Sequence, residues 1–337
     1  MINVLIDMPV YDPAIRELQG IPGIKVKQVE EPAEKVRLLS TDLIRDCEML
    51  LCTFPPENHE QMSQLNMVQI SSAGYKQLIG QNLGERNIKA CNALGVFDIP
   101  IAEWNIAMMI NLARDLRGLI RNQENKVWDR SARFQHEIRG SIVGIWGYGG
   151  IGRETARLAK ALGLKVHVLS RNGISSRENI YCVASTGDAE GKLPDRVFLM
   201  NEKAAFFKSI DFLVMAIPQT GNTEGIMDEA ELKMLRPHVF LLNPARGPLI
   251  KEQALIRALK EGWIAGAALD THYYYPMPAG HPLWIMPNVI FTPHISGSSS
   301  SPHFLERVYN IFIENVKRFQ SGKPLLNELT PSQLKGE

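Results

Sequence analysis

Three glycines in the middle of the chain constrain its fold more than any other feature. Gly147, Gly149 and Gly152 form the pattern G-x-G-x-x-G, directly after the apolar segment 142–146 and directly before the amphipathic segment 153–162. Between a strand and a helix, the first glycine allows a tight turn, the second lets the backbone approach a pyrophosphate, and the third lets helix and strand pack closely. The helix N-terminus then faces the negative charge. This context predicts a dinucleotide-binding loop; a glycine-rich turn without a ligand is the alternative.

Short apolar runs alternate with helix-like stretches on both sides of this loop. Five such runs occur in the first hundred residues, and six more begin at Ser141. This rhythm is typical of βαβ units, which form parallel sheets covered by helices. The 337 residues suffice for two domains of about 150 residues each. We therefore expect an α/β protein with two Rossmann- or flavodoxin-like doubly wound parallel-sheet domains and a cleft between them, the second with six strands.

Apolar residues at helical spacing predict one long buried helix over 99–119. A helix that is apolar on so much of its circumference could bridge two domains or face a partner subunit. A core helix within one domain is the alternative.

Charge and hydropathy exclude several classes of partner. Lys and Arg number 37 against 36 Asp and Glu, so the chain has no general electrostatic attraction for nucleic acid or an anionic membrane. The longest nearly apolar run, 104–113, is well short of the ~20 residues that span a bilayer. The start lacks the pattern of a signal peptide, so we expect a cytoplasmic protein. The cysteine and histidine spacings are not typical of a disulfide framework or a metal site, so we expect neither.

The end of the next strand bears on the choice of dinucleotide. An NAD enzyme usually places an acid there, which accepts a hydrogen bond from the ribose 2′-hydroxyl. Here Ser170 and Arg171 follow the strand, with no carboxylate. A hydroxyl and a guanidinium suit a 2′-phosphate, because Arg can bind phosphate oxygens through two parallel hydrogen bonds. The sequence therefore favours NADP(H) over NAD(H), unless Arg171 is only a solvated loop residue.

Two later segments place an arginine and a histidine directly after apolar strands. Arg246 lies in LLNPARGPLI and His294 in FTPHISG. Ligands of open α/β sheets bind at the carboxyl ends of the strands. Reduction of a 2-oxo acid needs a cation for the carboxylate and carbonyl, and a proton donor for the developing alkoxide. Arg246 and His294 could fill these roles, although a lone histidine would more often be structural.

From Ile99 to the end of FTPHISG, the sequence resembles the D-isomer-specific 2-hydroxyacid dehydrogenases, in particular those of the glyoxylate or hydroxypyruvate reductase type. The matching segments are IAEWNIAMMINLARDL, EIRGSIVGIWGYGGIGRETARLAKALG, the stretch from PQTGNTEG to GAALD, and HPLWIMPNVIFTPHISG. The resemblance implies a discontinuous substrate domain, residues 1–100 and 297–337, and a dinucleotide-binding domain, residues 101–296. It also implies a homodimer.

The same resemblance implies roles for individual residues. Arg246 matches the catalytic arginine and His294 the acid/base histidine, while Asp270 is expected near the nicotinamide carboxamide. In QISSAGYKQL, backbone amides around Ala73, Gly74 and Tyr75 are expected to receive the substrate carboxylate, together with Arg246. The implied cofactor contacts are Gly147, Tyr148, Gly149, Gly150, Ile151, Gly152, Ser170, Arg171, Ile217, Pro218, Thr223, Pro244, Ala245, Asp270 and Gly297.

The chain departs from the family pattern at Tyr275, where the family usually has a glutamate that hydrogen-bonds the catalytic histidine. No acid occurs between Asp270 and His294. A phenol can orient an imidazole but supplies no negative charge at neutral pH, so we expect Tyr275 in the catalytic group and reduction that favours mildly acidic pH.

A second departure is the long connection between Asn172 and Phe206. Its two short apolar runs predict a surface hairpin beside the adenosine. A flap over the cofactor or a subunit contact is the alternative.

Together these features predict an NADPH-favouring oxidoreductase that acts on a small 2-oxo acid or D-2-hydroxy acid. Oxidation of formate or phosphite is an alternative within the same family. A dinucleotide-sensing interaction protein that binds NADP(H) without turnover is the alternative from another class.

Overall fold

The computed structural model describes residues 1–131 and 136–336, and every site residue predicted from the sequence lies in these ranges. The chain divides into two compact units. The first comprises Met1–Phe97, Glu178–Ala184 and Ser299–Glu337, and the second comprises Asp98–Arg177 and Ser185–Ser298. No helix in the described ranges is long and apolar enough to cross a membrane.

The first unit is built on five parallel strands in the order β2-β1-β3-β4-β5. The strands are β1 (Ile2–Asp7), β2 (Ile24–Gln28), β3 (Met49–Cys52), β4 (Met67–Ile70) and β5 (Lys89–Cys91). The helices are α1 (Asp12–Gly20), α2 (Thr41–Ile44), α9 (Pro302–Gln320) and α10 (Pro331–Leu334), with 3₁₀ turns at His59–Gln61 and Lys76–Leu78. The five predicted strands are confirmed, and their order is that of the flavodoxin-like fold.

Helix α9 packs on this sheet through the apolar residues that recur at helical spacing in its sequence. Val308, Ile311, Phe312 and Val316 are fully buried in the same core as β1 and β3. The helix begins well because the Ser301 hydroxyl accepts a hydrogen bond from the His303 amide, and Pro302 occupies the first helical position. The C-terminal segment of the chain is thus an integral layer of the first unit.

The second unit is built on seven parallel strands in the order β12-β11-β10-β9-β6-β7-β8. They are β6 (Ile142–Trp146), β7 (Lys165–Ser170), β8 (Arg196–Leu199), β9 (Phe212–Met215), β10 (Phe240–Asn243), β11 (Gly266–Leu269) and β12 (Val289–Phe291). The helices are α3 (Asp98–Ala113), α4 (Leu116–Glu124), α5 (Gly150–Ala161), α6 (Lys203–Lys208), α7 (Glu229–Met234) and α8 (Glu252–Glu261), with 3₁₀ turns at Met200–Glu202, Gly247–Leu249 and Pro282–Trp284. Six of the strands follow the Rossmann order, which confirms the predicted fold class.

The prediction of one buried helix over 99–119 is wrong. Helix α3 ends at Ala113, and α4 begins at Leu116 with no buried residue. Between them, Asp115 adopts a left-handed conformation with φ of 45°, and its carboxylate accepts a hydrogen bond from the Gly118 amide. Aspartate is among the few residues that tolerate this conformation and cap a helix, so one apolar stripe is divided into two helices.

The predicted hairpin after Asn172 is also wrong, and so is the count of six strands. The second apolar run of this connection forms β8, which pairs in parallel with β7 at the sheet edge. The first run lies in 178–184, which the sequence assigned to the dinucleotide domain but which packs within the first unit. There the buried Asn327 accepts a hydrogen bond from the Tyr181 amide at 3.0 Å and donates its own amide to the Asn179 carbonyl at 2.9 Å.

Candidate active site

The predicted cofactor residues converge on one edge of the seven-stranded sheet. Gly147 follows β6, Ser170 ends β7, Ile217 and Pro218 follow β9, Pro244 and Ala245 follow β10, Asp270 follows β11, and Gly297 comes after β12. Because all the strands are parallel, their carboxyl ends meet at the same edge, where ligands of this fold bind.

The glycine loop has the backbone geometry that a dinucleotide requires. Gly147 has a φ of +97°, and a Cβ there would lie 2.6 Å from the Ala216 carbonyl oxygen. At Gly149 a Cβ would meet no atom within 4 Å, so the backbone is open to an approaching pyrophosphate. A Cβ at Gly152 would lie 2.5 Å from the Gly147 carbonyl oxygen, which requires glycine for packing. Gly150 and Ile151 form the first turn of α5, so their amides point toward this opening.

The residues at the end of β7 present a guanidinium without a competing acid. The Ser170 hydroxyl donates a hydrogen bond to the Gly173 carbonyl at 2.7 Å, which fixes the turn, and its oxygen can still accept. Arg171 is exposed and forms no ion pair with any described residue. Thr223 shapes the loop after β9, since its hydroxyl donates to the Pro218 carbonyl at 2.7 Å.

Arg246 is held by its backbone and leaves its charge available. Asn243 bridges the loop, donating from its side-chain amide to the Arg246 carbonyl and accepting from the Ala245 amide. The Arg246 guanidinium donates to the Ala245 carbonyl at 2.6 Å and is exposed. Within the described part of the chain it has no carboxylate partner. An exposed guanidinium of this kind can bind an anionic substrate.

His294 lies in a turn that Asp270 organises. The buried Asp270 carboxylate accepts hydrogen bonds from the Thr292 hydroxyl at 2.6 Å, the Ile295 amide at 2.9 Å, and the amide and hydroxyl of Ser296 at 3.0 and 2.5 Å. His294 sits inside this turn with a φ of +57°. Burial, together with the positive charge of Arg246, lowers the pKa of His294, while the Asp270 charge partly opposes this shift. The two expected catalytic side chains are therefore electrostatically coupled. A contact of Asp270 with the carboxamide stays a prediction.

Tyr275 contacts His294 through its ring. The two ring centroids are 5.5 Å apart at an angle of 56°. The Tyr275 hydroxyl accepts a hydrogen bond from the His272 backbone amide at 3.1 Å, and none joins it to His294 in the described structure. Any orientation of the imidazole by Tyr275 therefore comes from ring packing.

His272 is a buried site neighbour that sequence reasoning missed. Its ring stacks on Phe291 at 3.8 Å, and Nε2 donates to the Thr292 carbonyl at 2.7 Å. Nδ1 is buried without a hydrogen-bond partner among the described residues. Burial lowers the pKa of this histidine. One buried histidine in a segment rich in His and Tyr gives no sequence signal that would separate it from its neighbours.

The expected substrate loop lies after β4 in the first unit. The Asn92 side chain donates to the Ala73 carbonyl at 2.8 Å, and the Ser72 hydroxyl donates to the Gly74 carbonyl at 2.7 Å. These bonds fix the loop while the amides of Ala73, Gly74 and Tyr75 have no acceptor in the described residues. Three successive unpaired amides are suited to an anion such as a carboxylate. No cluster of His, Cys, Asp and Glu over 1–131 and 136–336 is arranged to hold a metal ion.

The parallel sheet, the glycine loop and the Arg246 and His294 pair at its carboxyl edge define a dinucleotide-dependent oxidoreductase. The family model for "D-isomer specific 2-hydroxyacid dehydrogenase, NAD binding domain" matches residues 106–296. The chain belongs to this family, and it is an NAD(P)-dependent enzyme of the D-2-hydroxyacid dehydrogenase class.

Relatives with known sequences and structures agree with this assignment. A glyoxylate reductase of Thermofilum pendens is 27% identical over 306 residues, which cover 88% of this chain and 86% of that protein. The crystal structure of a D-isomer specific 2-hydroxyacid dehydrogenase family protein from Aeromonas salmonicida has a TM-score of 0.78 and 25% identity, covering 98% of this chain and 99% of the other. An acyclic imino acid reductase, solved in complex with NADPH and D-Arg, has a TM-score of 0.73 and 25% identity over 98% of this chain and all of that one.

Proposed function

We propose that this enzyme reduces a small 2-oxo acid, of the glyoxylate or hydroxypyruvate class, to the D-2-hydroxy acid with NADPH as the favoured coenzyme. The observation that carries the proposal is the exposed Arg246 without an acidic partner, coupled to His294 at the carboxyl edge of the dinucleotide sheet. A substrate carboxylate would supply the negatively charged partner that Arg246 lacks. A carbonyl next to that carboxylate can receive a proton from His294.

The bound nicotinamide supplies the hydride that is added to the carbonyl carbon. Arg246 binds the carboxylate and polarises the carbonyl oxygen, and its charge stabilises the oxygen as negative charge develops. The His294 imidazolium donates a proton to that oxygen. The unpaired amides of Ala73, Gly74 and Tyr75 in the first unit are suited to donate hydrogen bonds to a carboxylate. One hydride and one proton convert the carbonyl to the alcohol, and the same groups serve the reverse oxidation.

The preference for NADPH is tested at Arg171. Its exposed guanidinium, with no carboxylate beside it, supports binding of a 2′-phosphate, since charge-assisted hydrogen bonds of this kind are worth roughly 1.5–3 kcal/mol. Arg171→Gln should lower the ratio of kcat/KM for NADPH over NADH by about tenfold or more. Arg16→Gln, at an exposed position of α1, is the matched control and should leave the ratio unchanged. An unaltered ratio in Arg171→Gln would refute the preference.

The reaction itself is tested by following NADPH absorbance with a panel of 2-oxo acids. Glyoxylate or hydroxypyruvate should be reduced, and Arg246→Gln should raise KM and lower kcat because both the carboxylate and the carbonyl lose their cation. Tight NADPH binding with no turnover on any 2-oxo acid would instead favour a sensor. Oxidation of formate or phosphite, with no 2-oxo acid reduced, would place the enzyme with those oxidising relatives.

A second candidate substrate is the imine formed between a 2-oxo acid and an amine. Tyr275 stands where a carboxylate would favour the His294 imidazolium, and the described residues give His294 no carboxylate hydrogen-bond partner. A protonated imine carries its own proton, so hydride addition to it needs no imidazolium. The likeness to an acyclic imino acid reductase supports this candidate. The test compares the rate of NADPH oxidation at alkaline pH with pyruvate plus methylamine and with pyruvate alone. A faster rate with methylamine, and N-methylalanine as product, would establish imine reduction. Equal rates would exclude it.

We also propose a homodimer that covers α3 and α4. Ile110, Leu116, Leu119 and Ile120 leave 41–47% of their surface exposed on these two helices. A cluster of exposed aliphatic side chains on a folded surface is typical of a protein interface.

A further inference from the structure

The connection from β7 to β8 crosses α5 without forming a helix of its own. Residues 171–195 contain no helix or strand, although crossovers between parallel strands usually do. Two parts of this connection contact the first turns of α5, around Ser175–Arg177 and around Gly187–Ala189. The segments before and after 178–184, which belongs to the first unit, are therefore both held by α5 close to the phosphate loop.

Arg153, the residue after the last glycine of the loop, holds both parts. Its guanidinium donates to the carbonyls of Tyr148, Ser175, Asp188 and Ala189. Only 4% of its surface is exposed. Four backbone carbonyls accept hydrogen bonds from this buried guanidinium, which has five N–H donors, so we assign Arg153 a structural role.

The side chains of Tyr148 and Glu154 reinforce the same attachment. The Tyr148 hydroxyl donates to the Asp188 carboxylate at 2.7 Å, and Glu154 accepts the Gly187 amide at 2.5 Å. Side chains of the glycine loop and of α5 thus fix the position of this connection against the helix.

Arg177 is placed by this attachment at the first residue of α5. Its backbone amide donates to the Ala189 carbonyl at 3.1 Å. Its Nη1 lies 3.8 Å from Asp98 Oδ2, too far for a hydrogen bond. The same Asp98 oxygen would overlap a Cβ built at Gly150, which locates the pair beside the start of the helix. Unlike that of Arg153, the Arg177 guanidinium makes no hydrogen bond with the described residues.

The negative charge of Asp98 opposes the binding of an anion at the start of α5. The N-terminus of a helix attracts a pyrophosphate, but a carboxylate beside it reduces this positive potential and repels the anion. Arg177 lies next to this carboxylate, with 19% of its side chain exposed. The geometry therefore places beside Gly150, at the start of α5, a guanidinium that makes no hydrogen bond with the described residues, on a segment outside the G-x-G-x-x-G motif.

We propose that Arg177 binds the pyrophosphate of the bound dinucleotide. The proposal rests on the dinucleotide site of the family and does not depend on the choice between NADPH and NADH, or on the substrate. It assigns the long connection after β7 a function in cofactor binding: Arg171 at its start discriminates the 2′-phosphate, and Arg177 holds the phosphates that all these dinucleotides share.

The test measures dissociation constants by calorimetry, without catalysis. Arg177→Gln should weaken NADPH, NADH and ADP-ribose about equally, by about tenfold or more, because each contains the pyrophosphate. Adenosine 2′-monophosphate, which lacks it, should bind as tightly as to the wild type. Arg171→Gln is the matched control and should weaken NADPH and adenosine 2′-monophosphate only. Arg177→Lys, which keeps the charge but loses the planar fork, should fall between the wild type and Arg177→Gln.

An indirect role through Asp98 is tested with a double variant. If Arg177 only offsets the Asp98 charge, Asp98→Asn combined with Arg177→Gln would restore wild-type affinity for ADP-ribose, and the proposal would be wrong. A persistent loss in the double variant supports direct binding. Unchanged ADP-ribose affinity in Arg177→Gln, or a loss confined to NADPH, would equally overturn it. Thermal unfolding of each variant shows whether the fold is retained, and Arg177→Lys provides the comparison if Arg177→Gln does not fold.

Discussion

Tyr275→Glu should raise the pH at which the enzyme loses its ability to reduce a 2-oxo acid. In the wild type, burial and the charge of Arg246 lower the pKa of His294 from its ordinary value of 6.5. As pH rises, the imidazolium that donates the proton is therefore lost at a lower pH than in a free imidazole. We therefore expect reductive kcat/KM to fall as pH rises through this region. A carboxylate at position 275 would attract the imidazolium and move the fall upward.

The size of the shift follows from the separation of the two rings. A unit charge at 5.5 Å stabilises the imidazolium by about 0.8 kcal/mol at a dielectric constant of about 80, and by about 3 kcal/mol at about 20. Tyr275 is 59% exposed, so the weaker end of this range applies. About 0.8–1.5 kcal/mol corresponds to about 0.5–1 pKa unit.

The assay is the pH profile of kcat/KM for glyoxylate reduction, which reports the essential acid of the free enzyme. Tyr275→Gln has the size of the glutamate without its charge, and its profile should fall at the wild-type pH. Coincident profiles for Tyr275→Glu and Tyr275→Gln would refute the electrostatic reasoning. They would show that the proton comes from another group or that the carboxylate does not reach His294.

Three further predictions concern the loop, the core and the surface of the second unit. Gly152→Ala places a methyl group against a backbone carbonyl at 2.5 Å and should lower the free energy of unfolding in urea by about 1–3 kcal/mol, whereas Gly149→Ala, in open space, should leave it unchanged; equal effects would contradict this. Burial lowers the pKa of His272, so as pH falls this histidine is protonated in the unfolded chain at a higher pH than in the folded protein. The free energy of unfolding should therefore decrease as pH falls below about 6.5, by at most about 1.4 kcal/mol per pH unit. His272→Phe should reduce that acid loss in urea unfolding, and an identical pH slope would exclude His272 as its source. Ile120→Glu should halve the mass measured by light scattering; a wild-type monomer would refute the dimer.

Local sequence patterns were sufficient for most of the fold. The five strands of the first unit and six of the seven in the second are apolar runs followed by polar or helical segments, and parallel sheets buried on both faces give just this pattern. The glycine loop was equally visible, because left-handed Gly147 and close-packed Gly152 impose requirements that only glycine meets. The apolar run that forms β8 was assigned to a surface hairpin instead of the parallel sheet, and three of its four residues are not buried because β8 lies at the sheet edge.

Arg246 and His294 were proposed as reacting groups from their residue type and their position after a strand, and the structure places both at the carboxyl edge of the sheet; their roles stay predictions. The sequence did not reveal how these side chains are held. Asp270 lies 22–26 residues from its four donors, and the Tyr275 hydroxyl pairs with the backbone of His272 rather than with the imidazole. Such choices depend on which backbone groups the folded sheet brings within hydrogen-bond distance.

The sequence by itself determined most of the strands, the glycine loop and which side chains are proposed as the reacting groups. These depend on hydrophobic period and on conformations that one residue type permits. Only the tertiary structure decided that 178–184 joins the first unit, that Asp115 divides a helix, and that Arg177 stands beside Asp98 at α5. Each of these rests on contacts between residues distant in the chain, and no local pattern encodes which distant partner will be nearest.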